Sequence, residues 1–183
     1  MNSLINIWNK CFNNTKQKLP KSIEIILYLC PGCNNIGTIK SIKNRFYCDC
    51  GLDGVITRTG KLEGDSVPYS MIEQWEKWQT EQLTRIIGRA GYEPLCIDEN
   101  QQLYAIYPKK KKVFIAEGRM FIDHKLLHCA GVDFPLESIT GFAVKGQSVL
   151  LFAGRDGMSY EVHSKTPRSA LKYIEIFKLL TGE

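Results

Sequence analysis

Hydrophobic and polar positions follow two different periods along this chain. In residues 92–183 the apolar residues form short runs of the β type, separated by turn signals such as Lys145-Gly146, and this pattern predicts strands. In residues 67–91, and again after Pro167, apolar residues recur three and four positions apart, which predicts two helices. The predicted strands span residues 103–107, 113–117, 120–123, 126–129, 141–144, 149–153 and 159–163.

The helix predicted over residues 67–91 begins at Ser70 and Glu73, which have the spacing of a capping box. Trp75 and Trp78 lie at helical spacing within its apolar stripe. Their position favours packing in the core or between domains, and contact with a membrane or a protein partner is the alternative. Both tryptophans are therefore candidate contact residues.

The C-terminal part combines seven predicted strands with one amphipathic helix, which has Thr166 as its cap and Pro167 at its first position. This is the plan of a pleckstrin-homology-like barrel or sandwich, in which the helix closes one end of two orthogonal sheets. The expected fold class is therefore α+β, with a small β ribbon and a linking helix ahead of the barrel.

Four of the seven cysteines form two close pairs with the spacing of a metal site. Cys30-Pro-Gly-Cys33 is followed, after a predicted hairpin of residues 37–48, by Cys48-Asp-Cys50. Each pair supplies two thiolates from one tight turn, so we predict a structural, tetrahedral zinc site. A redox-active Cys-x-x-Cys pair is the alternative, although such a pair normally opens a helix. The remaining cysteines, expected to be small buried hydrophobic residues, are Cys11, Cys96 and Cys129.

The patterns divide the chain into four segments. The first residues carry apolar side chains spaced like one face of a short helix, which we expect to pack on the protein or on a partner. A ribbon of this size cannot bury enough apolar surface to fold alone, so the metal would act as its core. The predicted segments are an N-terminal helix and linker (1–21), a zinc ribbon (22–66), a linking helix with the tryptophans (67–91) and a pleckstrin-homology-like barrel with a C-terminal helix (92–183).

Composition and charge exclude several classes of protein, but they do not point to a particular reaction or ligand. The 183 residues are 44% hydrophobic and 23% charged, which excludes collagen-like, disordered and coiled-coil chains. The longest apolar stretch, residues 23–30, is far shorter than the ~20 residues of a membrane span, and the N-terminus has no signal-peptide pattern, so we expect a cytoplasmic protein. The net charge of +5 is a small excess for a nucleic-acid-binding protein.

A run of lysines between the first two predicted strands of the barrel is the strongest local concentration of charge. It suits either a solvated hairpin turn or a contact with lipid head groups or a partner. An anionic bilayer attracts each such lysine by about 1 kcal/mol, so the run could assist membrane binding without establishing it. The residues are Lys109, Lys110, Lys111 and Lys112.

Three stretches of the chain resemble a known family. They are Tyr28-Leu-Cys-Pro-Gly-Cys-Asn-Asn-Ile-Gly-Thr-Ile-Lys-Ser, Asn44-Arg-Phe-Tyr-Cys-Asp-Cys-Gly-Leu and Trp75-Glu-Lys-Trp-Gln. They resemble the C-terminal extension of Firmicutes lysophospholipid (1-acylglycerol-3-phosphate) acyltransferases, in which a zinc ribbon and a β-rich tail follow the acyltransferase domain. The resemblance begins at about residue 22 and covers the rest of the chain, without the acyltransferase domain.

The resemblance implies an accessory module rather than an enzyme. We expect a non-catalytic, zinc-stabilised docking module for a phospholipid acyltransferase or for the cytoplasmic membrane surface. Its expected partners are a protein, such as an acyltransferase domain, and an anionic membrane bound weakly at its inner face. We do not expect nucleic acid to be a partner.

Two other classes of function remain as alternatives. A zinc-ribbon protein that binds nucleic acid would use the hairpin residues Lys40, Lys43, Arg45, Phe46 and Tyr47. An acyltransferase-type enzyme would use His128 and Asp133, because they match the spacing of the His-x-x-x-x-Asp signature of that family. We favour this enzyme least, since one such pairing is unremarkable in a chain of this composition and it falls in a predicted turn region.

Overall fold

The computed structural model describes residues 22–107, 111–146 and 149–182. This part of the chain is α+β, as predicted, and contains two helices and two antiparallel sheets. The first sheet consists of β1 (Lys40–Ile42), β2 (Arg45–Tyr47), β3 (Asp53–Ile56) and β4 (Leu62–Glu63). The predicted N-terminal helix lies in residues 1–21, outside the described residues.

Helix α1 (Ile72–Arg89) connects this ribbon to a larger sheet, and helix α2 (Leu171–Thr181) follows that sheet. The larger sheet has the strand order β8-β7-β6-β5-β11-β10-β9. Its strands are β5 (Cys96–Tyr107), β6 (Lys111–Ile122), β7 (Leu126–Cys129), β8 (Val132–Pro135), β9 (Ile139–Lys145), β10 (Val149–Gly154) and β11 (Ser159–Ser164).

The seven strands form an open sheet, which corrects the expected closed barrel. In the described residues the edge strands β8 and β9 do not pair with each other. Phe134 of β8 instead packs against Phe152 and Tyr160, with ring centroids 4.8 and 4.9 Å apart. Aromatic side chains, and not backbone hydrogen bonds, therefore connect the edge strand β8 to β10 and β11, whereas backbone pairing joins β5 to β11.

The number of strands agrees with the prediction, but two boundaries differ. The predicted strands 113–117 and 120–123 are one strand, β6, because Gly118 pairs with Gln101 beside a bulge instead of forming a turn. Strand β8 was not predicted. Ala130 and Gly131 turn the chain before it with φ values of 52° and 85°, and alanine is not a residue that marks such a turn.

The apolar run 23–29 does not form a strand. It begins with a 3-10 turn, Ile23–Ile25, and then pairs only through one isolated bridge between Leu29 and Ile36. The reason is that the run serves two cores: Ile23 and Leu27 pack in the ribbon, whereas Tyr28 and Leu29 pack in the core of the large sheet.

Helix α1 also contributes to both cores. Ile72 and Trp75 in its first half are buried in the ribbon, and Leu83 and Ile87 in its second half are buried under the large sheet. The helix begins at Ile72, and Gln74, not the predicted Glu73, accepts hydrogen bonds from the backbone N–H groups before it. One helix thus holds the small and the large region together.

Helix α2 begins four residues after the predicted Pro167. Arg168 and Ser169 are buried and bond to other parts of the fold, so tertiary contacts and not helical hydrogen bonds determine their conformation. Phe177 of α2 packs against Phe142 of β9, with ring centroids 4.7 Å apart. The helix therefore covers the open side of the curled sheet.

Candidate metal centre

The sulfur atoms of the four predicted ligands converge. The Sγ atoms of Cys30, Cys33, Cys48 and Cys50 all lie within 4.8 Å of one another. Two of the Sγ–Sγ distances are 3.6 Å, between Cys30 and Cys50, and 3.9 Å, between Cys33 and Cys48. Four sulfurs placed tetrahedrally around an ion at ~2.3 Å lie about 3.8 Å apart. The cluster therefore has the size of a tetrahedral thiolate site.

The first pair of cysteines lies on a tight turn that the local sequence favours. The chain reverses at Asn34, which has φ 58°, and its N–H donates to the carbonyl of Cys30 at 2.8 Å. The N–H groups of Gly32 and Cys33 point at Cys30 Sγ. A Cβ atom on Gly32 would lie 3.0 Å from Cys50 Sγ, so a side chain here would crowd the sulfurs.

The second pair lies on a turn between β2 and β3. Gly51 has φ 101° and its N–H donates to the carbonyl of Cys48 at 3.0 Å. The N–H groups of Cys50 and Leu52 point at the sulfurs of Cys48 and Cys50, respectively. Backbone donors thus surround the sulfurs on both turns, as thiolates require.

Burial and hydrogen bonding act in opposite directions on the sulfurs. Burial raises the pKa of the Cys30 thiol far above its usual value. Although burial also acts on Cys48, its hydrogen bond with the Thr38 hydroxyl, 3.3 Å away, helps to lower the pKa of that thiol to about 7. Four thiolates this close together repel one another, so a cation among them is needed before all four can ionise.

The two other described cysteines behave as predicted. Cys96 and Cys129 are buried in the core of the large sheet. Burial raises the pKa of Cys96 to about 11 and that of Cys129 to about 12, which keeps both thiols protonated and unreactive. Cys11 lies outside the described residues.

The two candidate contact tryptophans differ in their exposure. Trp75 is 0% exposed, and its Nε1 donates to the carbonyl of Leu29 at 2.9 Å. This corrects the candidate role for Trp75, because a fully buried ring offers no surface to a partner. Trp78 is half-buried and packs against both cores.

Two of the four candidate lysines can be placed. Lys111 is exposed and pairs with Tyr107 at the end of the β5–β6 hairpin. Lys112 donates to the Glu161 carboxylate at 3.3 Å and lies over the Tyr104 ring, 4.4 Å from its centroid. Its charge is therefore partly neutralised within the protein. Lys109 and Lys110 lie outside the described residues.

The same hairpin exposes apolar side chains that sequence reasoning missed. They stand beside the lysine run on two paired strands, and the clearest of them, Phe114, is 52% exposed. Because the strand pattern alone places every second residue in the core, nothing in the sequence marks these positions as exposed. The residues are Tyr107, Val113, Phe114 and Ile115.

Glu161 on β11 is a second feature that the sequence does not reveal. Its side chain is 7% exposed although it lies on the outer face of the sheet. Lys145 donates to it at 3.0 Å and His163 contacts it at 2.8 Å. Although burial alone would raise the pKa of Glu161, these partners and Lys112 lower it to about 2. The sheet thus neutralises a buried carboxylate with its own side chains.

His128 and Asp133 lie opposite each other on β7 and β8, with 2.6 Å between Nδ1 and Oδ1. The other ring nitrogen, Nε2, accepts a hydrogen bond from the N–H of Gly131 at 3.3 Å. The ring also stacks on Phe121. A general base needs a free lone pair on Nε2, and here that lone pair faces a backbone donor.

The candidate nucleic-acid residues of the ribbon are largely engaged within the protein. Lys40 pairs with Asp49 at 2.8 Å, and Arg45 pairs with Asp53. Phe46 is buried against Trp75. Lys43 and the half-buried Tyr47 remain on the surface of the hairpin.

No protein-family model matches the chain, and no curated protein matches it either. The similarity to acyltransferase extensions therefore stays a prediction from three motifs. None of the helices in the described residues has the length and hydrophobicity needed to cross a bilayer.

Proposed function

We propose that the chain is a non-catalytic docking module stabilised by one structural zinc ion. The observation that carries the proposal is the convergence of four cysteine sulfurs from two tight turns. A site made only of thiolates favours zinc over harder divalent ions. Four protein ligands would fill the tetrahedral shell and leave no position for a reacting water, so the ion would support the fold and not a reaction.

We also propose that the large sheet and α2 form a pleckstrin-homology-like domain. Two meanders, β5–β8 and β9–β11, are joined through β5 and β11, and a C-terminal helix follows. This order of elements supports the proposal, together with the aromatic contacts between the two halves of the sheet.

The end of the β5–β6 hairpin is the proposed docking surface, and an anionic membrane is its proposed target. Exposed apolar side chains at this end, such as Phe114 and Ile115, would enter the head-group region. The adjoining lysines would add attraction to anionic lipid. An acyltransferase as the protein partner rests on the motif resemblance alone.

Metal analysis tests the proposed zinc site. We expect one zinc ion per chain in protein purified without added metal, and four thiols released when a chelator removes the ion. Protein without metal, in which Cys30 and Cys33 oxidise readily to a disulfide, would contradict the zinc site and favour a thiol-redox protein.

Sedimentation with vesicles tests the proposed docking surface at the end of the β5–β6 hairpin. We expect binding to phosphatidylcholine vesicles only when they contain phosphatidylglycerol, and about ten-fold weaker binding for the double variant Phe114→Ser, Ile115→Ser. Ile97→Ser is the matched control, because Ile97 is equally exposed at 47% but lies away from the hairpin end. A protein that binds neither vesicle nor a lysophospholipid acyltransferase overturns the docking proposal. Salt-dependent oligonucleotide binding would favour the nucleic-acid alternative.

A further inference from the structure

The segment that carries the first metal-binding turn, residues 25–37, lies against α1 and α2. Within the described residues its only strand pairing is the isolated bridge between Leu29 and Ile36. A chain segment with so little pairing needs other partners for its backbone groups. Nearby backbone groups bond to some of them, and side chains from distant parts of the sequence bond to several others.

Helix α1 supplies the first set of partners. Gln79 is 1% exposed, and its Oε1 accepts from the N–H groups of Tyr28 and Leu29 at 2.8 and 2.9 Å. Its Nε2 donates to the carbonyl of Ile26 at 3.2 Å. The indole N–H of Trp75 donates to the carbonyl of Leu29. Two side chains of one helix thus bind four backbone groups directly ahead of Cys30.

Helix α2 and the residues directly ahead of it supply the second set. Ser169 Oγ donates to the carbonyl of Ile25 at 2.7 Å. Lys172, 1% exposed, donates to Asp98 of β5 at 2.7 Å and covers Gly37. A Cβ atom on Gly37 would lie 2.8 Å from Lys172 Nζ. A buried ion pair between α2 and the sheet is therefore packed directly on the segment that leaves the first metal-binding turn.

The segment also completes the core of the large sheet. Tyr28 and Leu29 are fully buried in the same cluster as Met120 of β6 and Phe177 of α2. Removing the segment would expose this cluster and would leave the Gln79 side chain buried without its partners. Packing of α2 against the sheet and placement of Cys30 therefore depend on the same contacts.

We infer that metal binding at the four cysteines and the packing of α2 on the large sheet are one linked equilibrium, with Gln79 and Lys172 as positioning residues for the metal site. The inference rests on the proposed zinc site. A bound ion ties residues 30–33 to the second turn, so it also holds the segment between the helices. Such coupling is reciprocal. If bound zinc favours the packed state of the segment by a given factor, the contacts that hold the packed segment must raise the zinc affinity by the same factor.

Zinc affinity of the full-length chain, measured by competition with a chelating dye, tests the linkage. We expect Gly37→Ala to weaken zinc binding about ten-fold, within the ~5–150-fold range of such couplings. Gly60→Ala is the matched control, because Gly60 has a similar left-handed φ of 82°, against 78° for Gly37, but open space around its Cβ position. The excess effect of Gly37→Ala should shrink in a Lys172→Ala background. Equal effects of the two glycine variants would overturn the inference.

A second measurement does not depend on the folding of any variant. In the wild-type protein, amide hydrogen exchange along residues 171–181 should slow when zinc is added to the metal-free form. Zinc binding without any change in that exchange would overturn the linkage and leave the proposed zinc module intact. A wild-type chain that binds no zinc at all would instead contradict the proposed function itself.

Discussion

The ribbon and the large sheet both place anionic groups in partly buried positions, but they neutralise them differently. In the large sheet, Glu161 is surrounded by Lys112, Lys145 and His163. In the ribbon, the sulfurs of Cys30, Cys48 and Cys50 have backbone N–H groups near them, and those of Cys33 and Cys48 lie near the Thr38 hydroxyl. Hydrogen bonds stabilise a single thiolate, but they do not cancel the repulsion among four.

The two regions also differ in the size of their cores. The strands of the ribbon have two to four residues, whereas β5 and β6 of the large sheet have 12 residues each. A small region buries too little apolar surface to offset its conformational entropy. The comparison indicates that the ribbon depends on an external cation, whereas the sheet supplies its own charges and core.

The largest expected effect comes from removing one sulfur of the ribbon. Cys33→Ser should abolish stoichiometric zinc binding and unfold the ribbon, because structural zinc sites contribute on the order of 10 kcal/mol. Cys129→Ser is the control, since Cys129 is equally a cysteine but lies in the core of the sheet. Elemental analysis and circular dichroism report the two effects. A Cys33→Ser protein that retains one zinc ion per chain would contradict the dependence of the ribbon on a cation held by all four cysteines.

A smaller effect is expected from the apolar part of the ribbon core. Trp75→Ala should lower the free energy of unfolding by about 3–5 kcal/mol, because it removes a fully buried ring and leaves the Leu29 carbonyl without its donor. Tyr92→Ala, at an 80% exposed position, should change it by less than ~0.5 kcal/mol. Urea denaturation of the zinc-loaded protein measures both. Equal losses would show that the metal alone supports the ribbon.

The smallest effects concern pH, and they have opposite signs in two parts of the molecule. Burial, with the nearby Glu73 and Glu175, raises the pKa of Glu76 on α1 to about 7, so ionising this group destabilises the fold as pH rises from about 4.5 to about 7. The pKa of Glu161 is instead lowered to about 2, so its contribution is present above about pH 4.5 and is lost as pH falls towards 2.

Glutamine variants separate these two carboxyl groups. Glu76→Gln should stabilise the protein by about 1 kcal/mol at pH 8, after allowance for solvent screening, and by nothing at pH 4. Glu161→Gln should destabilise it by about 2 kcal/mol at pH 7, with the loss shrinking as the solution becomes more acidic. Glu137→Gln, at an exposed position, is the control at each pH. The same sign of effect for both variants at pH 8 would contradict the opposite pKa shifts of Glu76 and Glu161.

Local features of the chain were predictable wherever neighbouring residues decide the structure. The two metal-binding turns follow from glycine, asparagine and cysteine at short spacing, and the sulfurs converge as that spacing requires. The burial of Trp75 was also predictable, because it lies in the apolar stripe of a helix, and the structure confirms the favoured packing in the core. The exposure of Phe114 was not predictable, because the strand pattern does not show which apolar side chains the fold leaves uncovered.

The sequence by itself determined the α+β class, the two helices and the set of four sulfur ligands. These features depend on the period of apolar residues and on the spacing of cysteines within short stretches of the chain. Only the tertiary structure decided the open sheet, the environment of Glu161 and the contact of Lys172 with Gly37. These arrangements join residues up to about 135 positions apart, and no period or spacing in the chain specifies such pairs. They follow from the register of the strands and from the packing of two helices around one shared segment.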